Sequence, residues 1–267
     1  MDAANVILVL VICTALAFDF TNGFHDTANA MAASISTGAL KPKAAVALAA
    51  ILNLAGAFLS VEVALTVSNA VVKLQDKSGA PIPATLVDDG KKLLLVVLCG
   101  LIGGIVWNLF TWLLGLPSSS SHALLGGLTG AAAAGFGLSG VKWTGDGTKL
   151  DGVVGKVLIP SFISPIIAMV VAFVGCWVVH RLTNAVMDKL SERYFRWGQI
   201  GSASLVSLAH GTNDAQKTMG VMTLALIASG HWSDTDSVPL WVKVSAASAI
   251  ALGTYLGGWR IIRTLGK

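Results

Sequence analysis

Long apolar runs separated by short polar stretches make up most of the chain. They lie at about Val6 to Ser36, Ala44 to Val72, Leu93 to Gly115, Ala123 to Gly140, Val153 to Val179, Ile200 to Ser229 and Leu240 to Trp259. A helix needs about 20 apolar residues to cross a bilayer, so the pattern predicts a bundle of spanning helices. The first and sixth runs exceed that length, and each is interrupted by polar residues: TNGFHDTANAM at Thr21 to Met31 and AHGTNDAQKTMGV at Ala209 to Val221. An unpaired polar group in hydrocarbon costs several kcal/mol, so such groups are kept there to handle something polar. The expectation is that each long run is two half-helices meeting at an unwound polar centre. The run from Ala123 to Gly140 is short, rich in Gly and Ala, and preceded by PSSSSH at Pro117 to His122. It predicts a hairpin tip, re-entrant or crossing, or a broken helix.

Composition agrees with the pattern. Hydrophobic residues make up 54% of the 267 positions and charged residues 12%, against about 25% charged in soluble domains. The class is an all-α integral membrane protein. Asp2 is the only charge before Asp19, so the first stretch lacks the basic start of a signal peptide and is expected to be a retained helix. Cys13, Cys99 and Cys176 stand alone in apolar runs, with no metal-ligand spacing, and are expected to pack. The net charge of +4 does not imply nucleic acid, because the basic residues sit in short loops beside apolar spans.

Those loops orient the chain. Lys41 and Lys43, then Arg181, Lys189, Arg193 and Arg196, then Arg260, Arg263 and Lys267 form three basic regions, which the positive-inside rule places in the cytoplasm. The N-terminus and the loop with Asp234 and Asp236 fall outside; the loop from Lys73 to Lys92, of mixed charge, fits less well. The motif at Asp26 then enters the membrane from outside and the one at Asp214 from inside. Two like motifs of opposite direction mark an inverted repeat, in which ion sites form near the midplane from discontinuous helices. The second helices also match loosely, KAAVALAAILNLAGAFL from Lys43 on KVSAASAIALGTYLGGW from Lys243. The organisation expected is a first repeat over 1–180, a basic cytoplasmic linker over 181–197 that lies along the interface, and a second, inverted and incomplete repeat over 198–267.

NGFHDTANAMA and HGTNDAQKTMG resemble the paired signature of the inorganic phosphate transporter family, and LPSSSSHALLGG resembles its Ser-rich hairpin loop ending in His. The resemblance covers nearly the whole chain. It implies secondary transport of inorganic phosphate on an inverted-repeat helical scaffold in the bacterial cytoplasmic membrane. In that family each repeat has its own Ser/Thr-rich loop; equal spacing places the second one beyond Lys267, so half of the anion loop is expected to be missing. His25 and Asn53 point away from sodium, toward proton-coupled transport or carriage of a divalent metal with phosphate; no resident cofactor or metal is expected.

Phosphate carries about one to two negative charges near neutral pH, so it needs donors and offsetting cations. Ser118, Ser119, Ser120 and Ser121 offer hydroxyls and N–H groups at a helix start, where anions are favoured; helix capping alone needs one serine. Asp26 and Asp214 would repel the anion and are expected to hold the coupling cation, with buried acids satisfied by helix ends as the alternative. Asn22, His25, Thr27 and Asn29 in the first motif, and Asn213 and Gln216 in the second, are candidate neighbours of either ion. Lys217 lies on the face of Asp214 and either pairs with it or meets the anion. His25, His122 and His210 are relay candidates or packing residues; Asp19 and Glu62 are expected to be paired structurally. The expected partners are phosphate, a cation and the lipid bilayer, with a homodimer compatible. Sulfate or sodium-coupled phosphate transport, an anion channel and a non-transporting subunit are the alternatives. No HExxH, GxSxG or P-loop suggests an enzyme.

Overall fold

The computed structural model describes residues 2–61, 64, 90–144, 152–183, 188–234, 237–257 and 259–265. Glu62, Asp236, Lys267, the loop over 73–89 and the side chains of Lys189, Arg260 and Arg263 lie outside what it describes. The described residues form α1 (Ala3–Ser36), α2 (Pro42–Gly56), α3 (Lys91–Leu114), α4 (Ser120–Phe136), α5 (Ile159–Thr183), α6 (Asp188–Ala228), α7 (Leu240–Gly257) and α8 (Trp259–Leu265). A π-helical turn, Val154–Leu158, leads into α5. Residues 188–197 of the basic stretch are thus the first turns of α6.

The all-helical bundle of the expected class is present, but the two motif helices are not broken. Among the described residues α1 runs for 34 residues straight through Asn22 to Asn29, and α6 for 41 straight through His210 to Lys217. The reason is local. Hydroxyls inside the motifs bond back to carbonyls of the preceding turn: Thr21 to Phe18 at 2.8 Å, Thr212 to Leu208 at 2.9 Å, and Thr27 to Gly23. Others reach across the bundle, Asn22 to Asp214 at 3.2 Å and His25 to Thr111 at 2.9 Å, so these groups find partners without the backbone opening. The chain breaks instead at Gly115 to Ser119, where Gly115 takes a left-handed φ of 69° and α3 turns back into α4. At 17 residues, α4 is about 26 Å long, short of a full crossing. That suits the hairpin expected there.

Glycines set the packing. A Cβ on Gly23 would lie 2.2 Å from the carbonyl of Ile250, and one on Gly253 would lie 2.0 Å from that of Phe20, so α1 and α7 touch backbone to backbone. The pair Gly211 and Gly56 does the same for α6 and α2, at 2.2 Å from the carbonyls of Asn53 and Leu208. The first helix of each half therefore crosses the second helix of the other half by the same device. This equivalence matches Gly56 with Gly253, so the expected register of Lys43 on Lys243 is displaced by three residues.

Directions follow from the contacts. Thr37 meets Gln199 at 2.7 Å and Asn22 meets Asp214 at 3.2 Å, so α1 and α6 are antiparallel. Thr21 pairs with Asn108 and His25 with Thr111, so α3 runs parallel to α1. The end of α1 and start of α6 thus share one face of the bundle, where Lys41, Lys43 and Trp259 also line a common pocket. The other half of the bundle is an apolar core that includes Val11, Phe18, Leu94, Leu101, Met219 and Met222. The three cysteines are exposed on α1, α3 and α5, so they do not pack in the interior as expected.

Candidate functional site

Between α1 and α6, with the start of α4 alongside, polar side chains form a continuous seam. Its centre is Asp214, which is buried. One carboxylate oxygen, Oδ1, accepts from Lys217 Nζ at 2.5 Å; the other accepts from Asn22 Nδ2 at 3.2 Å. Lys217 also donates to the Ser121 hydroxyl. It therefore links the acid of α6 to the serine loop of α4, doing both things the sequence left open.

The orientation of His210 is fixed from behind. The Thr254 hydroxyl donates to the Gly23 carbonyl at 3.2 Å, so its oxygen accepts from Asn53 Nδ2 at 2.8 Å. That turns Asn53 Oδ1 toward His210, whose Nδ1–H donates to it at 3.0 Å. The other ring nitrogen, Nε2, then points 3.4 Å from Asp214 Oδ2 and 3.9 Å from Asp26 Oδ2. A ring nitrogen and two carboxylates converge on one spot, where a proton on that nitrogen or a cation between the three groups is favoured. One ligand atom from each of Asp26, His210 and Asp214 lies within 4.8 Å of the others.

Toward the basic end, Asp26, Asn29, Pro117, Ser118 and Ser119 line an open pocket of about 350 Å³. Ser119 caps α4, accepting from the His122 N–H at 3.3 Å. Ser118 accepts from the Trp107 indole at 2.9 Å, and Ser120 is buried with its hydroxyl lacking a hydrogen bond among the described residues. The four serines thus divide into one cap, one packing contact, one partner of Lys217 and one buried hydroxyl. His122 bonds Ser119 and Ser161, at 2.8 Å each, at the mouth of the hairpin.

Not every candidate reaches the seam. Asn213 is exposed, and Thr27 spends its hydroxyl on its own helix. Asn29 is exposed but lines the pocket, whereas Gln216 is buried. His25 is buried between Asp26 Oδ1 at 3.1 Å and Thr111 Oγ1 at 2.9 Å; because Thr111 donates to the Trp107 carbonyl, His25 Nε2 is the donor to it. Asp19 is fully buried without an ion pair among the described residues, contrary to the structural pairing expected of it. The sequence reading missed Asn53 and Thr254 as positioning residues. Their signal was available: lone polar residues in apolar helices are costly and seldom idle.

A family model described as the phosphate transporter family matches residues 22–267. The chain belongs to the phosphate transporter family. Among its relatives, a probable low-affinity inorganic phosphate transporter of Mycobacterium bovis is 59% identical over all of this chain and 59% of its own length. One from Bacillus subtilis is 41% identical over all of this chain and 74% of its own. The low-affinity inorganic phosphate transporter PitB of Escherichia coli is 34% identical over 84% of this chain and 46% of its own length. The chain thus spans less than two thirds of the mycobacterial relatives it matches. A solved structure titled as the sodium-dependent phosphate transporter shares the fold, with a TM-score of 0.71 over 98% of this chain and 78% of that one, at 21% identity.

Proposed function

We propose that this chain forms the ion-binding core of a symporter that moves inorganic phosphate across the bacterial cytoplasmic membrane by alternating access, coupled to protons or carrying phosphate as a metal complex. The observation that carries the reading is His210 Nε2, held by Asn53 against Asp26 and Asp214. In the seam, two carboxylates, Asp26 and Asp214, stand against one lysine. Phosphate adds one or two negative charges and enters such a place only with cations beside it. That mutual dependence is what couples two fluxes. A proton on Nε2, or a divalent metal between Asp26, His210 and Asp214, supplies the charge. Phosphate then lies in the adjoining pocket, met by the start of α4, Ser118 to Ser121, Asn29 and, once released from Asp214, Lys217.

The open pocket lies on the basic side and the apolar core closes the other, which makes this an inward-open arrangement by the positive-inside rule, with the N-terminus outside. The paired glycine crossings support an inverted repeat, the scaffold on which alternating access operates. The experiment is phosphate uptake into liposomes by this chain and by a form extended to its relatives' length, with imposed proton or sodium gradients. Proton-driven accumulation is expected. Accumulation that follows sodium alone defeats the coupling; conduction without any gradient makes the protein a channel; and sulfate uptake that outcompetes phosphate overturns the substrate.

A further inference from the structure

Two turns of α1 beyond Asp26, on the side away from the open pocket, lies an acid that the seam does not use. Asp19 is fully buried, and neither carboxylate oxygen has a hydrogen-bond partner among the described residues. It is seven residues from Asp26 on one face of α1, about 10 Å along the helix axis. From α6, Thr218 comes within interaction range, its own buried hydroxyl also lacking a hydrogen bond. The charged groups that act on Asp19 are Asp214 and Lys217, both from α6. The helices α2, α3, α4, α7 and α8, which also pack on α1, contribute none among the described residues. Lys217 is already committed to Asp214 and Ser121. Beside Asp19 begins the apolar core, with Phe18, Leu101, Met219 and Met222 all buried.

A bare carboxylate in such a place costs several kcal/mol. Something positive must accompany it. A hard metal ion of the Mg²⁺ kind needs about six oxygens, and one carboxyl with one hydroxyl does not supply them. A proton needs only one oxygen, and the resulting acid can donate to the Thr218 hydroxyl.

We propose that Asp19 is a proton-binding site, separate from the cluster at Asp26, His210 and Asp214, which is loaded and emptied once per transport cycle at the boundary between the polar seam and the apolar seal. The step is balanced. A proton from water on the sealed side forms an O–H bond to an Asp19 carboxylate oxygen while that side is open; the same bond breaks when the seam opens the other way, returning the proton to water. This rests on the proton-coupled reading above and names where one of the protons rides.

The test uses the protein in liposomes, comparing wild type with Asp19→Asn, which keeps the shape of the protonated acid, and Asp19→Glu, which keeps a titratable one. Asp19→Asn is expected to cut proton-driven phosphate accumulation at least tenfold while phosphate–phosphate exchange falls no more than about twofold; Asp19→Glu is expected to recover part of the accumulation. Infrared difference spectra across pH are expected to lose a protonated-carboxyl band in Asp19→Asn. Wild-type accumulation in Asp19→Asn overturns the proposal, as does an unchanged infrared spectrum or an equal loss of exchange and accumulation in both variants. If wild type neither exchanges nor accumulates phosphate, the symport reading fails, and the infrared band still decides whether Asp19 takes a proton. Should Asp19→Asn fail to fold, the pH midpoint of that band in Asp19→Glu, expected to move from the wild-type value, decides in its place.

Discussion

The helices α1 and α5 are both long and apolar enough to cross a membrane, yet the bundle uses them in opposite ways. Along α1, one face is buried and carries Asp19, Asn22 and His25 among apolar neighbours. Along α5, nothing in the apolar stretch is buried by the rest of the chain, and Phe162 and Phe173 are about three-quarters exposed. Hydropathy reports that a helix prefers lipid to water; it does not report which helix will face another protein surface. What separates the two is the residues that let a backbone approach. Gly23 admits α7 to contact distance, whereas Gly175 of α5 has open space around it.

The comparison is sharpest where approach is tightest. Gly211→Val inserts side-chain atoms where even a Cβ would meet the Asn53 carbonyl at 2.2 Å, and overpacking of this kind costs about 3 kcal/mol or more. Loss of folded protein in thermal unfolding in detergent is the expected result, and Gly175→Val, on α5, is expected to leave the midpoint unmoved. Asp214→Asn removes the charged partner of a part-buried Lys217, a change worth on the order of 1 to 3 kcal/mol. Coupled phosphate uptake is expected to fall on the order of a hundredfold, and near-normal accumulation would count against the cation site.

Asn53→Ala frees the His210 ring without touching either carboxylate. Positioning partners of this sort are worth about tenfold in affinity or activity, so the expected outcome is a tenfold drop in uptake with a shifted pH profile. A drop without the shift would make Asn53 a packing residue. Ser121→Ala removes the hydroxyl that Lys217 contacts; at about 1 kcal/mol for a hydrogen bond, phosphate affinity measured by calorimetry is expected to weaken about fivefold. The smallest effect belongs to the uncovered helix. Phe173→Ala is expected to change stability by less than about 0.5 kcal/mol in this chain, and a larger loss would mean that α5 is packed against something after all.

Much of this was legible before the fold. The apolar runs located the helices, although α2 stops at Gly56 within a run expected to reach Val72; the charge of their loops grouped Lys41 and Lys43 with the tail end, and the two motifs with the serine loop named the segments that meet. The failures share a physical cause. Unwound centres were expected because the first and sixth runs are over-long and interrupted by polar residues, but Thr21, Thr27 and Thr212 return their hydroxyls to their own helix. The cysteines were expected inside because their sequence neighbours are apolar, and in a bilayer an apolar neighbourhood faces outward as readily as inward.

The sequence by itself determined the class, most of the helical segments, the opposed directions of the two motif helices and the three segments that carry polar chemistry, because transfer between water and hydrocarbon depends on composition over about 20 residues. Only the tertiary structure decided that Asn53 and Thr254 aim His210 at two acids, that Lys217 joins Asp214 to Ser121, and that Asp19 is buried without an ion pair among the described residues. Those outcomes depend on ångström distances between helices far apart in the chain, set by where Gly23 and Gly211 allow two backbones to touch.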